Sequence, residues 1–313
     1  MNKTVLVLVE TLHDYLPILE NLGYQLILAT TPLERAAAIQ REGPHIDAVL
    51  TRGPLGLRAE EIAALPRLRI ICVIGAGYEQ VDLHAAHARG ITVTNGAGVN
   101  ASSVADHSLA LLLALVRDIP QADASVRRGE WRKRLCPSLA GKRLGILGLG
   151  AVGLAIAKRA ALGFDMTVSY HNRRPREDAL YAYCATVQAL AHCSDFLVIA
   201  TPGGSGTRGL VDQAVLAALG PSGFLVNVAR GSVIVTTDLI EALQHRLIAG
   251  AALDVFEDEP LVPDSLKILD NVVLTPHVAG LSPEALEDSV RLVGENLSAF
   301  FAGQPVLTPI VLD

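Results

Sequence analysis

Residues 143–163 read RLGILGLGAVGLAIAKRAALG, an apolar run that leads through a glycine-rich turn into a helical pattern. A GxGxxG spacing is a weak signal alone, but a strand before it and a helix after it are the setting of a dinucleotide-binding turn. In that setting Gly148 permits the tight turn, Gly150 lets a pyrophosphate approach the backbone, and Gly153 allows close helix packing. The helix N-terminus adds amide donors and positive potential. The alternative is a tight turn that binds no ligand. We predict a pyrophosphate site, formed by Gly148, Gly150, Ala151, Val152 and Gly153.

The same alternation of strand and helix runs through the rest of the chain. A first series of short apolar runs consists of TVLVLVE, YQLILAT, AVLTRG, RIICVIG and ITVTN. A second series consists of RLGILGLG, TVSYH, FLVIAT, GFLVNVA, GAALDV and NVVLT. Strands that alternate with helices predict parallel sheets. Because the runs are continuously apolar, we expect helices on both faces of each sheet.

A long helical passage, residues 101–131, separates the two series, and Pro120 is expected to divide it in two. The last helix is predicted to begin with Ser282 as N-cap and Pro283 in its first turn, and to run to about Phe301. The tail after it is too short to form a domain, so we expect it to return to the first unit.

The sequence thus predicts an α/β protein of two doubly wound parallel-sheet domains. A flavodoxin-like domain is expected from residues 1–98 and 286–313, and a Rossmann domain from residues 99–285. The length of 313 residues agrees with two domains, since one domain takes roughly 150 residues.

Composition excludes some kinds of partner. The net charge is −6 and aromatic residues make up only 4% of the chain, so a nucleic-acid partner is not expected. The N-terminal apolar run is closed by Glu10, and the longest later run, residues 109–116, is far shorter than the roughly 20 residues that span a bilayer. We therefore expect a cytoplasmic protein that does not enter a membrane.

The cysteine and histidine spacings do not predict a metal site. The four cysteines show no CxxC pair and are expected to be free, partly buried thiols. His84 and His87 are three residues apart on a predicted helix and could share a metal, but no second cluster matches them. A solvated helix face is the preferred interpretation.

The stretch VSYHNRRPRED, residues 168–178, lies about 20 residues beyond the glycine-rich turn, where a carboxylate usually binds the adenine ribose. Here the chain has Asn172, Arg173 and Arg174 instead. These side chains can donate hydrogen bonds to a 2′-phosphate, to which the planar guanidinium is well suited. The sequence therefore favours NADPH over NADH. The alternative is a solvated loop that carries two arginines.

Three segments place a polar residue at or just beyond the end of a predicted strand: Arg230 in VNVARGSV, Glu259 in LDVFEDEP and His277 in LTPHVAG. In open parallel sheets, ligands bind at the carboxyl ends of the strands, so these side chains are expected to meet. An arginine can hold a carboxylate with two hydrogen bonds, a histidine can exchange a proton, and a glutamate can favour the protonated imidazole. Singly, each could be an ordinary surface or loop residue, but all three behind a dinucleotide turn indicate a catalytic set.

These motifs resemble the D-isomer-specific 2-hydroxyacid dehydrogenase family. The resemblance covers about residues 70–280 and rests on VIGAGYEQVDL, VTNGAGVNASSVADHSLALLLALVR, GLGAVG, VNVARGSVI, GAALDVFEDEP and NVVLTPHVAG. Within the family the chain is similar to the NADPH-using glyoxylate/hydroxypyruvate and hydroxyphenylpyruvate reductases. This resemblance implies reduction of a small 2-oxo acid to the D-2-hydroxy acid with NADPH, with NADH also possible. It further implies a homodimer, formed through the helices of residues 101–130.

The resemblance also implies a role for each motif residue. Arg230 would bind the substrate carboxylate, Glu259 would partner the histidine, and His277 would be the acid/base. The first domain would bind the substrate through the backbone amides of a loop and through an arginine: Gly75, Ala76, Gly77 and Arg52. The nicotinamide would be lined by Thr201 and Ala229, with Asp254 at its carboxamide, and Pro202 would be a further cofactor-binding residue.

Two departures from the family pattern stand out. The family usually continues ARG with a Val-Asp-Glu sequence, whereas Val235 and Thr236 occupy those places here. The stretch TPGGSGT is also richer in glycine than is usual after the Thr-Pro pair. Both departures affect the local cap and the cofactor loop more than the chemistry.

The alternative interpretations propose either a different substrate or a different class of protein. Bulkier 2-oxo acids such as hydroxyphenylpyruvate or 2-ketogluconate are compatible with the same motifs. Oxidation of formate or phosphite is a different enzymatic alternative. Formate is disfavoured, because relatives that oxidise it pair the histidine with an amide and this chain has Glu259 there. A binding protein that senses NAD(P) without catalysis is the alternative from another class.

Overall fold

The computed structural model of the chain describes residues 3–311. These residues form two compact units: unit 1 comprises residues 3–100 and 280–311, and unit 2 comprises residues 101–279.

Helices and strands alternate along both units. The strands are β1 (Thr4–Val7), β2 (Gln25–Leu28), β3 (Ala48–Arg52), β4 (Ile70–Ile74), β5 (Thr92–Asn95), β6 (Arg143–Leu147), β7 (Thr167–His171), β8 (Ala182–Tyr183), β9 (Phe196–Ile199), β10 (Phe224–Asn227), β11 (Gly250–Leu253) and β12 (Val272–Leu274). The α-helices are α1 (Pro17–Asn21), α2 (Pro32–Glu42), α3 (Ala59–Ala63), α4 (Leu83–Ala88), α5 (Ala101–Val116), α6 (Ile119–Arg127), α7 (Ala151–Phe164), α8 (Val187–His192), α9 (Gln213–Leu219), α10 (Thr236–Gln244), α11 (Asp264–Lys267) and α12 (Pro283–Phe301). Every apolar run predicted as a strand contains one, which confirms that part of the sequence analysis. Only β8, with two residues, was missed.

Unit 1 is built on a five-stranded sheet with the order β2-β1-β3-β4-β5, and all its strand pairs are parallel. This is the flavodoxin-like order. Buried side chains lie on both faces, as continuous apolar strands require. Helix α12 covers one face with Val290, Val293 and Leu297. The last residues add an isolated antiparallel bridge between Thr94 and Pro309.

Unit 2 is built on a seven-stranded parallel sheet with the order β12-β11-β10-β9-β6-β7-β8. From β8 to β12 this is the Rossmann order with one strand added at the end. Helices α5 and α7 pack on one face of the sheet, where Leu112 and Ile156 are fully buried. Residues of α8, α9 and α10 pack on the other face, among them Leu190, Leu216 and Leu243. The predicted α/β fold class is thereby confirmed.

Two predicted helix boundaries are confirmed in detail. The passage 101–131 is divided as expected: α5 ends at Val116, Asp118 takes a left-handed φ of 55°, and Pro120 lies in the first turn of α6. Ser282 is the N-cap of α12, and its Oγ accepts a hydrogen bond of 3.1 Å from the backbone N–H of Ala285. No helix among residues 3–311 is both long enough and apolar enough to cross a membrane.

Candidate active site

The glycine-rich turn lies at the point where the sheet order of unit 2 reverses, between β6 and β9. Gly148 has a φ of +100°, and a Cβ there would lie 2.8 Å from the backbone of Ala200 and Thr201. A Cβ on Gly153 would lie 2.1 Å from the carbonyl oxygen of Gly148, so the helix can approach the turn only if this residue is glycine. A Cβ on Gly150 would meet nothing within 4 Å. The turn thus leaves open space beside Gly150, where a pyrophosphate would approach the backbone.

The start of α7 supplies the donors for such an anion. Gly150 occupies the N-cap position, and no side chain there accepts a hydrogen bond from the helix. Ala151 and Val152 follow it as the first helical residues. The first N–H groups of a helix have no partner within the helix, and its dipole favours negative charge there. A dinucleotide therefore fits this turn both sterically and electrostatically.

A buried polar atom next to the turn also fits a ligand. The hydroxyl Oγ of Thr201, just beyond β9, is buried and has no hydrogen-bond partner among the described residues. Buried hydroxyls are normally hydrogen-bonded, so this one is a candidate for a cofactor contact. The carbonyl of the next residue, Pro202, accepts a hydrogen bond of 2.9 Å from the hydroxyl of Thr207. That bond orders the glycine-rich stretch TPGGSGT, whose residues 205–207 form a 3-10 turn.

The arginine loop after β7 offers two exposed cations. Arg173 and Arg174 are exposed and form no hydrogen bond or ion pair within residues 3–311. Asn172, in contrast, is tied to the turn, because its Oδ1 accepts a hydrogen bond of 2.7 Å from the backbone N–H of Leu149. The side-chain amide of Asn172 therefore holds this loop beside the glycine-rich turn.

Sequence reasoning missed a third arginine in this loop. Arg176 donates from Nη1 to the carbonyl of Leu149 at 2.9 Å, and its guanidinium pairs with Asp178 at 2.5 Å. Its backbone N–H donates to the hydroxyl of Tyr170 at 2.8 Å. Arg176 thus binds the dinucleotide turn itself. Its place in the run RRPRED was visible in the sequence, but the direction of its side chain was not.

Arg230 lies three residues beyond β10, in a turn that is fixed by a buried asparagine. Asn227 is 1% exposed, and its side chain donates to the carbonyl of Arg230 at 3.0 Å and accepts from the N–H of Ala229 at 3.0 Å. The guanidinium of Arg230 donates to the carbonyl of Ala229 at 2.6 Å. Asn227 was also missed, although a polar residue at the end of an apolar strand is a readable signal.

The loop after β11 packs directly on this turn. A Cβ on Gly231 would lie 2.0 Å from the carbonyl carbon of Phe256, so glycine is required there. At the departure from the family pattern, Val235 is the N-cap of α10 and provides no side-chain cap. The hydroxyl of Thr236 instead hydrogen-bonds Glu257 at 3.2 Å, and Arg208 pairs with the same carboxylate at 2.7 Å. These contacts couple α10 to the loop that carries Glu259.

Glu259 and His277 are in direct contact. The Nδ1 of His277 lies 2.7 Å from Oε2 of Glu259, and the other oxygen, Oε1, accepts a hydrogen bond of 3.0 Å from the N–H of Phe256. Both side chains are partly exposed, His277 at 32% and Glu259 at 27%. The Nε2 of His277 has no hydrogen-bond partner in the described part of the chain, so it is available to a ligand.

The electrostatics of this pair favour a charged glutamate. Burial of the Glu259 carboxyl opposes its ionisation, but the hydrogen bonds from His277 and Phe256 and the charges of His277 and Arg230 outweigh burial. The net result is that the pKa of Glu259 is lowered from its ordinary value. An ionised Glu259 accepts the Nδ1–H of His277 and leaves Nε2 facing away from the carboxylate.

Asp254 lies at the end of β11 and is fully buried. Its Oδ1 accepts from the hydroxyl of Thr275 at 2.6 Å and from the N–H of Val278 at 3.0 Å, and its Oδ2 accepts from the N–H of Ala279 at 2.9 Å. The carboxylate that the family resemblance assigns to the nicotinamide carboxamide is thus already engaged with the segment around His277.

The predicted substrate residues belong to unit 1. Gly75 follows β4 with a φ of +76°, and Asn95 donates from its side chain to the carbonyl of Ala76 at 2.9 Å. The loop of Gly75, Ala76 and Gly77 is therefore held by the end of β5. Arg52 is the last residue of β3 and is exposed. No three His, Cys, Asp or Glu side chains within residues 3–311 are placed to hold a metal ion.

A sheet of Rossmann order, a dinucleotide turn and a histidine paired with a carboxylate define an NAD(P)-dependent dehydrogenase. Residues 109–279 match the family profile described as D-isomer specific 2-hydroxyacid dehydrogenase, NAD binding domain. The chain is 42% identical over 286 residues to a hydroxyphenylpyruvate reductase of Plectranthus scutellarioides, with 90% of each chain covered. It is 40% identical over 291 residues to a glyoxylate/hydroxypyruvate reductase A of Arabidopsis thaliana, with 92% of this chain and 93% of that protein covered.

Solved structures agree with this assignment. The NADPH-dependent glyoxylate/hydroxypyruvate reductase of Sinorhizobium meliloti, in complex with NADP and malonate, is 37% identical, with a TM-score of 0.88. The match covers 99% of this chain and 97% of that one. The protein belongs to the D-isomer specific 2-hydroxyacid dehydrogenase family and is an NAD(P)-dependent oxidoreductase. The resemblance stated from the sequence motifs is thereby confirmed.

Proposed function

We propose that this protein reduces a small 2-oxo acid of the glyoxylate or hydroxypyruvate kind to the D-2-hydroxy acid, with NADPH as reductant. The observation that carries the proposal is the pair of His277 and Glu259, joined at 2.7 Å with Nε2 of the imidazole open to a ligand. A histidine oriented in this way is equipped to transfer a proton to a carbonyl oxygen. Reductases of glyoxylate, hydroxypyruvate and hydroxyphenylpyruvate among the relatives support the reaction class.

His277, Glu259 and Arg230 have different roles in the proposed reaction. When it is bound, the nicotinamide supplies the hydride that reduces the carbonyl carbon. Nε2 of protonated His277 donates a proton to the carbonyl oxygen, while Glu259 accepts from Nδ1 and stabilises the imidazolium. Arg230 binds the carboxylate of the substrate and fixes which carbon faces the nicotinamide.

The cofactor is proposed to lie along the carboxyl ends of the strands of unit 2. The glycine-rich turn and the start of α7 hold the pyrophosphate. The orphaned hydroxyl of Thr201 would gain a partner from the cofactor, and Ala229 would line its nicotinamide. Since both oxygens of Asp254 accept hydrogen bonds from the chain, its contact with a carboxamide would have to use a remaining lone pair.

The preference for NADPH is proposed to rest on Arg173 and Arg174. Replacement of both by Ala is expected to lower the ratio of kcat/KM for NADPH to that for NADH, because two donors to the 2′-phosphate are lost. The measurement is the initial rate at varied concentrations of each cofactor. Arg117→Ala is the control, since Arg117 is also an exposed arginine of unit 2. An unchanged ratio in the double variant would assign these arginines to a solvated loop.

The reaction itself is tested by side-by-side rates of NADPH and NADH oxidation with glyoxylate, hydroxypyruvate, hydroxyphenylpyruvate and 2-ketogluconate. Fast turnover of one of the two small acids with NADPH supports the proposal. Faster turnover of hydroxyphenylpyruvate would favour a bulkier substrate, in line with the 42% identical relative. Binding of NADPH without turnover of any of the four acids would contradict the proposed substrate class.

We also propose a homodimer formed by the segment from α6 to Leu135. This segment exposes four large apolar side chains, with Trp131 at 81%, Val126 at 56% and Ile119 at 52%, and Leu135 fully exposed. Association of two copies would remove this apolar surface from water, as at other exposed apolar surfaces that serve as interaction sites.

A further inference from the structure

The backbone of His277 has an unusual conformation. Its φ of +55° lies in the left-handed region, which residues other than glycine rarely adopt. The backbone N–H of His277 donates to the carbonyl of Asp254 at 2.8 Å and to the carbonyl of Thr275 at 3.1 Å. A residue keeps such a conformation only where its surroundings hold it, and this happens most often at functional sites.

The two residues that follow His277 are held by a single buried carboxylate. Asp254 accepts the N–H of Val278 on Oδ1 at 3.0 Å and the N–H of Ala279 on Oδ2 at 2.9 Å. Together with the bond from His277 N–H to the Asp254 carbonyl, three consecutive N–H groups donate to one residue. Asp254 thus fixes the direction in which the backbone leaves His277.

The carboxylate is held in turn by two side chains. The hydroxyl of Thr275 donates to Oδ1 of Asp254 at 2.6 Å. Nε2 of His107 lies 3.1 Å from that hydroxyl and 3.4 Å from Oδ1. Because the Thr275 hydroxyl already donates to the carboxylate, it can only accept from His107, so Nε2 of His107 carries a proton.

Helix α5 provides a second hold on the same segment. The hydroxyl of Ser103 donates to the carbonyl of Ala279 at 2.7 Å. Ser103 and His107 are four residues apart, so they lie on the same side of α5, one turn from each other. One face of this helix therefore contacts both ends of the segment that contains His277.

We propose that Ser103, His107, Asp254 and Thr275 form a clamp that positions the imidazole of His277 for proton transfer. None of these side chains hydrogen-bonds to the imidazole; they act through the backbone from Thr275 to Ala279. The proposal rests on the proposed role of His277 as the acid/base. Ser103, His107 and Thr275 are then positioning residues of the reaction, in addition to any contact of Asp254 with the cofactor.

The test compares Thr275→Val with Thr275→Ser. Valine has nearly the same shape but lacks the hydroxyl, so Asp254 loses a donor and His107 an acceptor. Misplacement of a catalytic group can cost on the order of 100-fold, so we expect kcat to fall by about 10-fold to 100-fold in Thr275→Val. The dissociation constant of NADPH should be unchanged, and Thr275→Ser should recover most of the lost rate.

His107 offers an independent pair of variants. His107→Ala removes the donor to Thr275, whereas His107→Gln keeps an N–H at a similar reach. We expect the first to lower kcat and the second to restore it in part, again with NADPH binding retained. The control is Ser108→Ala, which removes a buried hydroxyl of the same helix whose partner within residues 3–311 is the carbonyl of Val104, at 2.6 Å.

Two further readouts separate positioning from folding. With NADPH deuterated at the transferred position, the isotope effect on kcat should rise in Thr275→Val, because the chemical step becomes slower. Hydrogen exchange at the amides of Val278 and Ala279 should become faster, while exchange in the strands of unit 2 stays the same. A variant that is merely unfolded would lose NADPH binding and protection throughout.

The outcomes distinguish the two proposals. If the wild type reduces 2-oxo acids and Thr275→Val and His107→Ala keep the wild-type kcat, the clamp is wrong and the proposed function stands. If kcat and NADPH affinity fall together and Thr275→Ser does not recover the rate, the network only supports the fold. If the wild type turns over no 2-oxo acid, the proposed function is wrong, and so is the proposal that the clamp positions His277 for proton transfer.

Discussion

At the scale of single residues, the properties of His277 come from what its two ring nitrogens contact. Nδ1 is bound to Glu259 at 2.7 Å, and Nε2 has no partner in the described part of the chain. The bond at Nδ1 orients the ring, and it lets the carboxylate of Glu259 stabilise a positive charge on the imidazole. A histidine without such a partner could exchange protons but would lack a fixed direction.

His277→Ala should abolish most of the reductase activity. General acid catalysis contributes about 10²-fold to 10⁴-fold, so kcat is expected to fall by a factor in that range. NADPH binding should persist, because the glycine-rich turn is not altered. The measurement is steady-state turnover together with fluorescence titration of NADPH. Near-normal turnover in the variant would remove His277 from the role of acid.

The rate of 2-oxo acid reduction should decline as the pH rises, because the imidazolium loses the proton that it donates. The reverse oxidation should show the opposite trend. At acidic pH the behaviour of Glu259 matters, because its pKa in the folded protein is lowered. Its ionised carboxylate stabilises the folded protein fully at pH values above the ordinary pKa of a glutamate. This stabilisation is lost as the pH falls through the lowered pKa of the folded state. The pair of Glu259 and His277 should therefore persist from neutral pH to below the ordinary range of a glutamate.

The check is a pH profile of kcat in both directions, with Glu259→Gln as the matched variant. An amide cannot stabilise the imidazolium as a carboxylate does, so the decline of the reductive rate should begin at lower pH in this variant. Reductive rates that are independent of pH, with hydride transfer limiting turnover, would argue against His277 as the acid.

At the scale of elements, strand ends and the turns behind them place the side chains of the site. The end of β10 is fixed by Asn227, and the next turn packs on the loop after β11 through Gly231. The loop after β11 carries Glu259, and the segment after β12 carries His277. Neighbouring parallel strands thus bring distant parts of the sequence to one edge of the sheet.

Gly231→Ala should lower activity strongly, although the change adds one methyl group. The new Cβ would lie 2.0 Å from the backbone of Phe256, whose N–H holds Oε1 of Glu259. The turn of Arg230 and the loop of Glu259 must then move apart, and displacement of such groups can cost on the order of 100-fold in kcat.

The measurement is kcat together with the thermal unfolding midpoint of Gly231→Ala. Gly163→Ala is the control, because a Cβ on Gly163 would meet nothing within 4 Å and Ala is favoured over Gly within a helix. Activity equal to that of the wild type in Gly231→Ala would show that the contact between the two loops is not needed.

At the scale of the whole molecule, the surface of unit 2 is not uniformly polar. The apolar side chains after α6, Trp131 and Leu135, are exposed, whereas those of the core clusters in both units are buried. Burial of apolar surface contributes roughly 25 cal/mol per Å², so contact between two copies through this segment would be stabilising.

We expect light scattering to give a mass of about twice the 33.1 kDa of one chain. Trp131→Glu combined with Leu135→Glu should shift the protein toward the monomer, because charges would enter the interface. Ile268→Glu, at a residue that is 80% exposed elsewhere in unit 2, should leave the mass unchanged. A monomeric wild type at micromolar concentration would contradict the dimer.

The sequence by itself determined the secondary structure and the kind of site. Continuous apolar runs predicted eleven of the twelve strands, and glycine spacing, the cap at Ser282 and the break near Pro120 were readable because each depends on neighbours along the chain. Strand ends also predicted that Glu259 and His277 would lie close together. Their catalytic roles, and those of the cofactor residues, stay predictions.

Only the tertiary structure decided how the side chains at this edge are held. The hydrogen bond of His107 to Thr275 joins residues 168 positions apart, and Asp254 binds amides 24 and 25 positions further on. Arg176 turns back to Leu149 across 27 positions. No local pattern encodes such contacts, since they depend on the order of strands in the sheet and on the direction each buried side chain takes to satisfy its hydrogen bonds.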